Sequence, residues 1–296
     1  MKKIDVLCVG ATSYDFVFGV KHHPLADEKT TSDIFVSCGG GPAANAAVAV
    51  AKLGLTSAFC GYLGKDVFGQ LHLQEMQAAG VHTDFIILGD RPTPISTVLV
   101  KPDGKRTVVN HRANKEYISP KSIDISHLNP KVLLFDGHEP EVTLSLLQYA
   151  QRNKIPAILD AGSVHEGTSA LYDKADYLIC SQKFSREITG ETDPESALKK
   201  LFNHNKNVII TLGKEGLIWK TEAGSGSLPA YSVNVVDTTG AGDVFHGAFA
   251  CCLARGKEWK YALQYSSAAA AISCSKLGAR IGIPDKNEVD KYLASM

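Results

Sequence analysis

A chain of 296 residues, 44% hydrophobic, with 31 basic against 31 acidic side chains, can bury one large core and has no global field drawing it to nucleic acid or an anionic membrane. No apolar run reaches the roughly 18 residues of a membrane span, and Asp5 interrupts the short apolar stretch near the start, so neither a span nor a cleaved leader is expected. Seven cysteines, at 8, 38, 60, 180, 251, 252 and 274, lack metal-ligand spacing and mostly sit in apolar runs, which predicts free core thiols and a cytoplasmic setting.

Ile4 to Val9 is predicted as a buried strand. The loop after it, Gly10-Ala11-Thr12-Ser13-Tyr14-Asp15, lies where strand ends meet ligands, so Asp15 is either an acceptor for hydroxyls or a solvated turn residue. Phe16 to Val20 with Asp33 to Ser37, and Ile95 to Val100 with Lys105 to Val109, predict two short β pairs beside an α/β core. The second pair turns at Asp103-Gly104.

Between these pairs, Cys38-Gly39-Gly40-Gly41-Pro42-Ala43-Ala44-Asn45 enters an alanine-rich helix ending near Leu53-Gly54. Its glycines let backbone approach a ligand, Pro42 suits the first turn, and the Asn45 amide can donate and accept. Ala58 to Leu63 and Phe85 to Leu88 read as strands, with Gly64, Asp66 and Gly69 as turn and cap determinants of the helix between them.

Asn110 and Arg112 close the second β pair, facing either a polar or anionic ligand group or solvent. From Val132 the pattern is strand, Asp136-Gly137-His138-Glu139-Pro140, helix; then strand 157–159, Asp160-Ala161-Gly162, helix; then strand 177–180. This repetition predicts a largely parallel, helix-covered sheet. Asn207 to Thr211 adds a strand before Leu212-Gly213-Lys214-Glu215-Gly216, and Leu217 to Lys220 with Ser227 to Tyr231 is expected as an antiparallel edge.

Val236-Asp237-Thr238-Thr239-Gly240-Ala241-Gly242-Asp243 then opens into an apolar helix running to Ala254. Amides from Thr239 through Gly242 have no partner within such a helix, and the helix dipole adds to their attraction for an anion. An anion cradle beside a carboxylate suits phosphoryl transfer, with Asp243 as the base; the plainer alternative is an aspartate capping its own helix. Tyr261 to Cys274 reads as a second helix rich in small residues.

Asp-Thr-Thr-Gly-Ala-Gly-Asp at 237–243, together with the Gly39–Asn45 segment and Gly64-x-Asp66-x-x-Gly69, resembles the signatures of ribokinase-like (PfkB-type) carbohydrate kinases over essentially the whole chain. The resemblance implies an α/β three-layer sandwich with a mostly parallel central sheet, formed as one domain over 1–296. It also implies a small β-sheet lid, inserted at about 14–37 and 95–112, that covers the sugar and forms a homodimer surface. By the same resemblance, Asp15, Gly40, Gly41 and Asn45 bind the sugar acceptor, while Thr211, Gly213, Gly216 and Ser267 line ATP. Backbone oxygens near Asp237, Thr239, Ser273, Gly278 and Gly282 hold K⁺, and Gly240, Ala241 and Gly242 form the anion hole beside Asp243.

Many relatives have Asn-x-x-Glu near Mg²⁺, where this chain has Ser181 and Phe184. That departure resembles the ketohexokinase and sulfofructose kinase branch, and His138 falls near where the latter would have a sulfonate-binding arginine. The resulting expectation is an ATP- and Mg²⁺-dependent kinase acting on a primary hydroxyl of a sugar, with a ketose as the leading acceptor class. An adenosine kinase or a non-catalytic nucleotide-binding module is the alternative.

Overall fold

The computed structural model describes residues 3–112, 116–125 and 128–296. In chain order the first elements are β1 (Val6–Val9), β2 (Ser13–Gly19), β3 (Ile34–Gly40), α1 (Pro42–Lys52), β4 (Ser57–Gly64), α2 (Val67–Ala78), β5 (His82–Gly89), β6 (Ile95–Val100) and β7 (Arg106–His111). They are followed by β8 (Val132–Phe135), α3 (Pro140–Asn153), β9 (Ala157–Ala161), α4 (Glu166–Leu171), β10 (Tyr177–Ser181), α5 (Gln182–Thr189), α6 (Pro194–Phe202) and β11 (Asn207–Thr211). The last are β12 (Leu217–Thr221), β13 (Gly224–Leu228), α7 (Ala241–Ala254), α8 (Trp259–Ser273) and α9 (Lys286–Ala294).

The two-residue period of β1 explains the layering. Val6 and Cys8 join one apolar cluster and Leu7 and Val9 the other, and all four are buried. The first cluster packs α1, α2, α7, α8 and α9 on one face; the second packs α3, α4, α5 and α6 on the other. Between them the large sheet runs β13-β12-β11-β10-β9-β8-β1-β4-β5, parallel except where β12 pairs antiparallel with β11 and β13. All seven cysteines are free and buried, in accord with their reading as small apolar side chains.

A second sheet has the order β3-β2-β6-β7 and its own small core of Val17, Val98 and Val100. Ile34, Phe35 and Val109 are exposed on it. The Asp103-Gly104 turn is present, with Gly104 in the left-handed region at φ 74° and its amide bonded to the Lys101 carbonyl.

Strand ends differ from expectation for local reasons. β3 continues through Gly39 and Gly40, which pair with Tyr14 and Ser13, because the ladder has room there only for residues without a Cβ. A Cβ on Gly39 would collide with His72 and Arg280, and one on Gly40 with Asp15. β13 ends at Leu228 rather than Tyr231, since Pro229 offers no amide to the ladder. Asp66 caps α2 by accepting from the Gly69 amide at 2.8 Å, the capping role read for it.

Candidate active site

The start of α7 is a turn rather than a side-chain cap. Gly240 sits at φ 77°, and a Cβ there would lie 2.8 Å from that of Ala279. The Ala241 amide points to the Thr238 carbonyl at 3.3 Å, whereas the amides of Gly240, Gly242 and Asp243 have no protein acceptor among the described residues. Of the three amides expected in the anion hole, that of Ala241 has this backbone acceptor, and the Asp243 amide stands free beside the other two. Around Gly242 the space is open.

Buried Asp237 ties this turn down. One carboxylate oxygen accepts from the Thr239 amide at 2.8 Å and hydroxyl at 2.6 Å, and the other from the Gly278 amide at 2.8 Å. The amides of Val236 and Asp237 both donate to the Cys274 carbonyl. Gly282 lies against the Ser273 carbonyl so closely that a Cβ would collide with it. The residues expected around a monovalent cation thus come from the turn before α7 and from the end of α8 with the loop after it, joined by the Asp237 carboxylate and by the two bonds to the Cys274 carbonyl.

Asp243 is the third residue of α7 and accepts from the Asn45 side-chain amide at 2.8 Å. Asn45, in the second turn of α1, is 3% exposed, so it is not a surface asparagine. Its oxygen accepts from Arg280 Nε at 3.1 Å, so the amide keeps one hydrogen and one lone pair for a ligand hydroxyl. Asp243 keeps part of its surface open to solvent, but the protein crowding its carboxyl raises its pKa. Burial contributes most, the nearby Asp160 adds to the rise, and the Asn45 donor opposes it.

Asp15 on β2 is buried, accepts from the Ser13 hydroxyl at 2.6 Å and faces Gly40. Burial raises its pKa against the pull of Ser13, Ser96 and Arg280. Gly41, at φ 99°, has no room for a Cβ beside the Ala11 carbonyl.

At the end of β8, Asp136 accepts from the amides of Ala11, Ala43 and His138, at 2.8, 3.1 and 2.9 Å. It thereby joins three strand- and helix-end loops. Burial disfavours a charged His138, yet Asp136 at 3.3 Å holds its pKa above the ordinary imidazole value. His165 lies against it, ring centroids 4.3 Å apart. Arg112 reaches Glu139 at 3.6 Å, while Asn110 is exposed on β7 opposite Ser96. The structure gives Asn110 no side-chain partner among the described residues.

The nucleotide-side expectations divide. The Ser181 hydroxyl caps α5, accepting from the Phe184 amide at 2.9 Å and donating to the Gly162 carbonyl at 2.8 Å, and Phe184 is fully buried in the core. Ser181 thus serves as a helix cap and Phe184 as a core side chain. Thr211 bonds the Cys180 carbonyl at 3.3 Å. Gly216 is required by contact with the Leu228 carbonyl, whereas Gly213, at φ 60°, faces open space at the end of β11. Ser267 is half-buried on α8. Among the described residues no three His, Cys, Asp or Glu side chains cluster as a metal site.

Sequence reasoning missed several contributors. Arg106, beside the Asp103-Gly104 turn, donates to Thr238 Oγ1 at 2.9 Å, and Thr238 in turn donates to the Gly104 carbonyl at 3.2 Å. The tip of the small sheet thus rests on the loop leading into α7. Buried Asp160 and His246 lie close enough to Asp243 to act on its charge, Asp160 Oδ2 lying 3.3 Å from His246 Nδ1. A polar residue directly after a predicted strand was the available signal for Asp160; nothing in the local sequence marked Arg106 or Arg280.

The model of the pfkB family of carbohydrate kinases matches residues 3–286. The chain is 30% identical to the ribokinase of Bacillus subtilis (strain 168), over 98% of this chain and 99% of that protein. Among solved structures, the Thermotoga maritima ribokinase superposes with a TM-score of 0.85 at 30% identity, covering 98% of this chain and 99% of that one. The Arabidopsis thaliana ribokinase complexed with ribose and ATP gives 0.85 at 26% identity, covering 98% and 99%. The chain belongs to the pfkB family of carbohydrate kinases, ATP-dependent phosphotransferases of ribokinase-like α/β fold.

Proposed function

We propose that this chain phosphorylates a primary hydroxyl of a small sugar, with Asp243 accepting the hydroxyl proton as the oxygen attacks. The observation that carries this is the Asp243 carboxylate in the first turn of α7, held by Asn45 and flanked by amides without protein acceptors. ATP, when bound with Mg²⁺, supplies the transferable phosphoryl group. Gly240, Gly242 and Asp243 amides then stabilise its oxygens, and Gly213 and Gly216 shape the nucleotide edge. Asp15, Gly40, Gly41 and the free side of Asn45 hold the acceptor hydroxyls. Arg106 on the small sheet brings positive charge to the same turn, and closure of that sheet would limit loss of phosphate to water.

For the acceptor we favour a ketose, supported by the resemblance of the Cys38–Asn45, Val235–Ala248 and Gly278–Asp285 strings to sulfofructose kinases and by a relative named probable fructokinase-4 at 28% identity. Ribose is the second reading, supported by the relatives named ribokinase. His138 and Arg112 would face a polar or anionic end of the acceptor. The test is ADP release with ATP and, in turn, D-fructose, a 6-phosphorylated ketose, sulfofructose, D-ribose and adenosine. The proposal expects one sugar to dominate kcat/KM and Asp15→Ala to impair that sugar far more than ATP; adenosine as the best acceptor would defeat it. A homodimer through the exposed face of the small sheet belongs to the same proposal.

A further inference from the structure

We infer that Arg280 is a positioning residue for phosphoryl transfer, fixing the Asn45 amide so that its nitrogen, and not its oxygen, meets Asp243. A guanidinium has only donors, so the Asn45 atom facing Arg280 Nε at 3.1 Å must be the oxygen. The nitrogen is thereby turned to Asp243 Oδ2, 2.8 Å away. Rotated by half a turn, the amide would set a carbonyl oxygen against the carboxylate, lone pair against lone pair, and leave the guanidinium facing an NH₂ group.

Arg280 is itself held at every polar atom. Its Nη1 lies 3.2 Å from Glu75 Oε2, which also accepts from the Gly39 amide at 2.8 Å. Nη2 lies 2.7 Å from His72 Nε2, which the Gly40 carbonyl also approaches at 3.2 Å; the shorter contact, to a group that can only donate, makes this nitrogen the acceptor of a neutral imidazole. Burial opposes charge on both side chains; Glu75, Cys38 and Asp15 favour it on Arg280, while Arg280 itself opposes it on His72. The guanidinium occupies space that a Cβ on Gly39 would fill, and at 6% exposure it has little access to water. A cation so enclosed is tolerated only where its hydrogen bonds are made, which gives the arrangement its rigidity.

The loop carrying Arg280 also sets the start of α7. The Gly278 amide bonds Asp237, and Ala279 packs on Gly240. One loop thus places the helix turn that presents the base and, through Arg280, the amide that contacts it. Asp243 is faced by Asn45 from α1, Asp160 from β9, His246 from α7 and Arg106 from β7. Among the described residues facing it, Asn45 donates directly to its carboxylate, so its orientation bears on the proton acceptor without Arg280 touching substrate.

The catalytic part of this inference rests on the kinase reading; the orientation part does not. In ¹⁵N-labelled full-length protein, the Asn45 Nδ2 protons, identified by their loss in Asn45→Ala, should exchange slowly, and Arg280→Met should abolish that protection. With ATP and the better of D-ribose and D-fructose, Arg280→Met should lower kcat/KM roughly 10- to 100-fold. In the Asn45→Ala background the same change should cost no more than about twofold, because the path through Asn45 is already gone. If Arg280→Met does not fold, Arg280→Lys carries the same measurements, since it keeps the charge but lacks the planar Nε donor. Unchanged protection of the Asn45 amide, or losses that multiply in the double variant, would overturn the inference. Lost protection without turnover of any sugar would support the orientation while defeating the acceptor reading.

Discussion

The Asn45 side-chain amide donates to Asp243 Oδ2 at 2.8 Å, joining α1 to α7 across 198 positions of sequence. Two glycine-rich segments thereby meet, and the proposed function puts the acceptor on Gly40 and Gly41 and the phosphoryl group on Gly240 and Gly242. A donor aimed at the carboxylate favours its ionised form, the form able to take a proton.

The first expectation is a pH profile. Because transfer needs ionised Asp243, kcat/KM should rise with pH, with a midpoint above the ordinary carboxylate range of about 4. Asn45→Ala removes the opposing donor and should move the midpoint higher as well as lowering the plateau. Profiles of the two proteins with identical midpoints would show that the bond does not tune the base.

A second expectation concerns stability. Burial, and then Asp136, raise the Asp160 pKa from 3.8 to about 8, so the native chain holds a proton that the unfolded chain releases. That contribution is fully present below the unfolded value and is lost as pH rises through the folded one. Between about pH 6.5 and 8, where burial has already left His246 neutral by holding its pKa below the ordinary imidazole value, Tm should fall with pH, by at most about 1.4 kcal/mol of stability per unit from this group. Asp160→Asn should flatten the slope; an equal slope in both proteins would place the proton elsewhere.

Much of the architecture was legible because it is written in local patterns. Alternating β1 residues, the Asp103-Gly104 turn and the Asp66 cap each act within a few residues of themselves. The candidate site was legible where it follows from a helix start, since α7 does begin at Ala241 after Gly240. What stayed hidden depends on contacts between distant segments: Arg280 meets Asn45 and α2 only after folding, and Arg106 reaches Thr238 only because the β6–β7 tip folds over that loop. Ser181 was ambiguous for a related reason, since a hydroxyl after a strand serves a ligand or a helix cap equally well, and here it caps α5.

A third expectation addresses the monovalent cation. Asp237 fastens the Thr239 turn to the Gly278 loop, so K⁺ bound by backbone oxygens of these loops should stiffen the anion hole. Activity in K⁺ should exceed that in tetramethylammonium at matched ionic strength, and Asp237→Ala should lose both activity and the K⁺ response. Equal rates in the two salts would remove the cation from the account and leave the kinase assignment standing.

The most direct measurement compares the chain with Asp243→Asn, using the best sugar acceptor and detecting the phosphorylated sugar itself. Asparagine keeps the shape and loses the basic oxygen, so kcat should fall roughly 10²-fold or more while affinity for a non-hydrolysable ATP analogue and Tm stay close to those of the parent. Near-parental formation of sugar phosphate by the folded Asp243→Asn protein would contradict the assignment of Asp243 as the base.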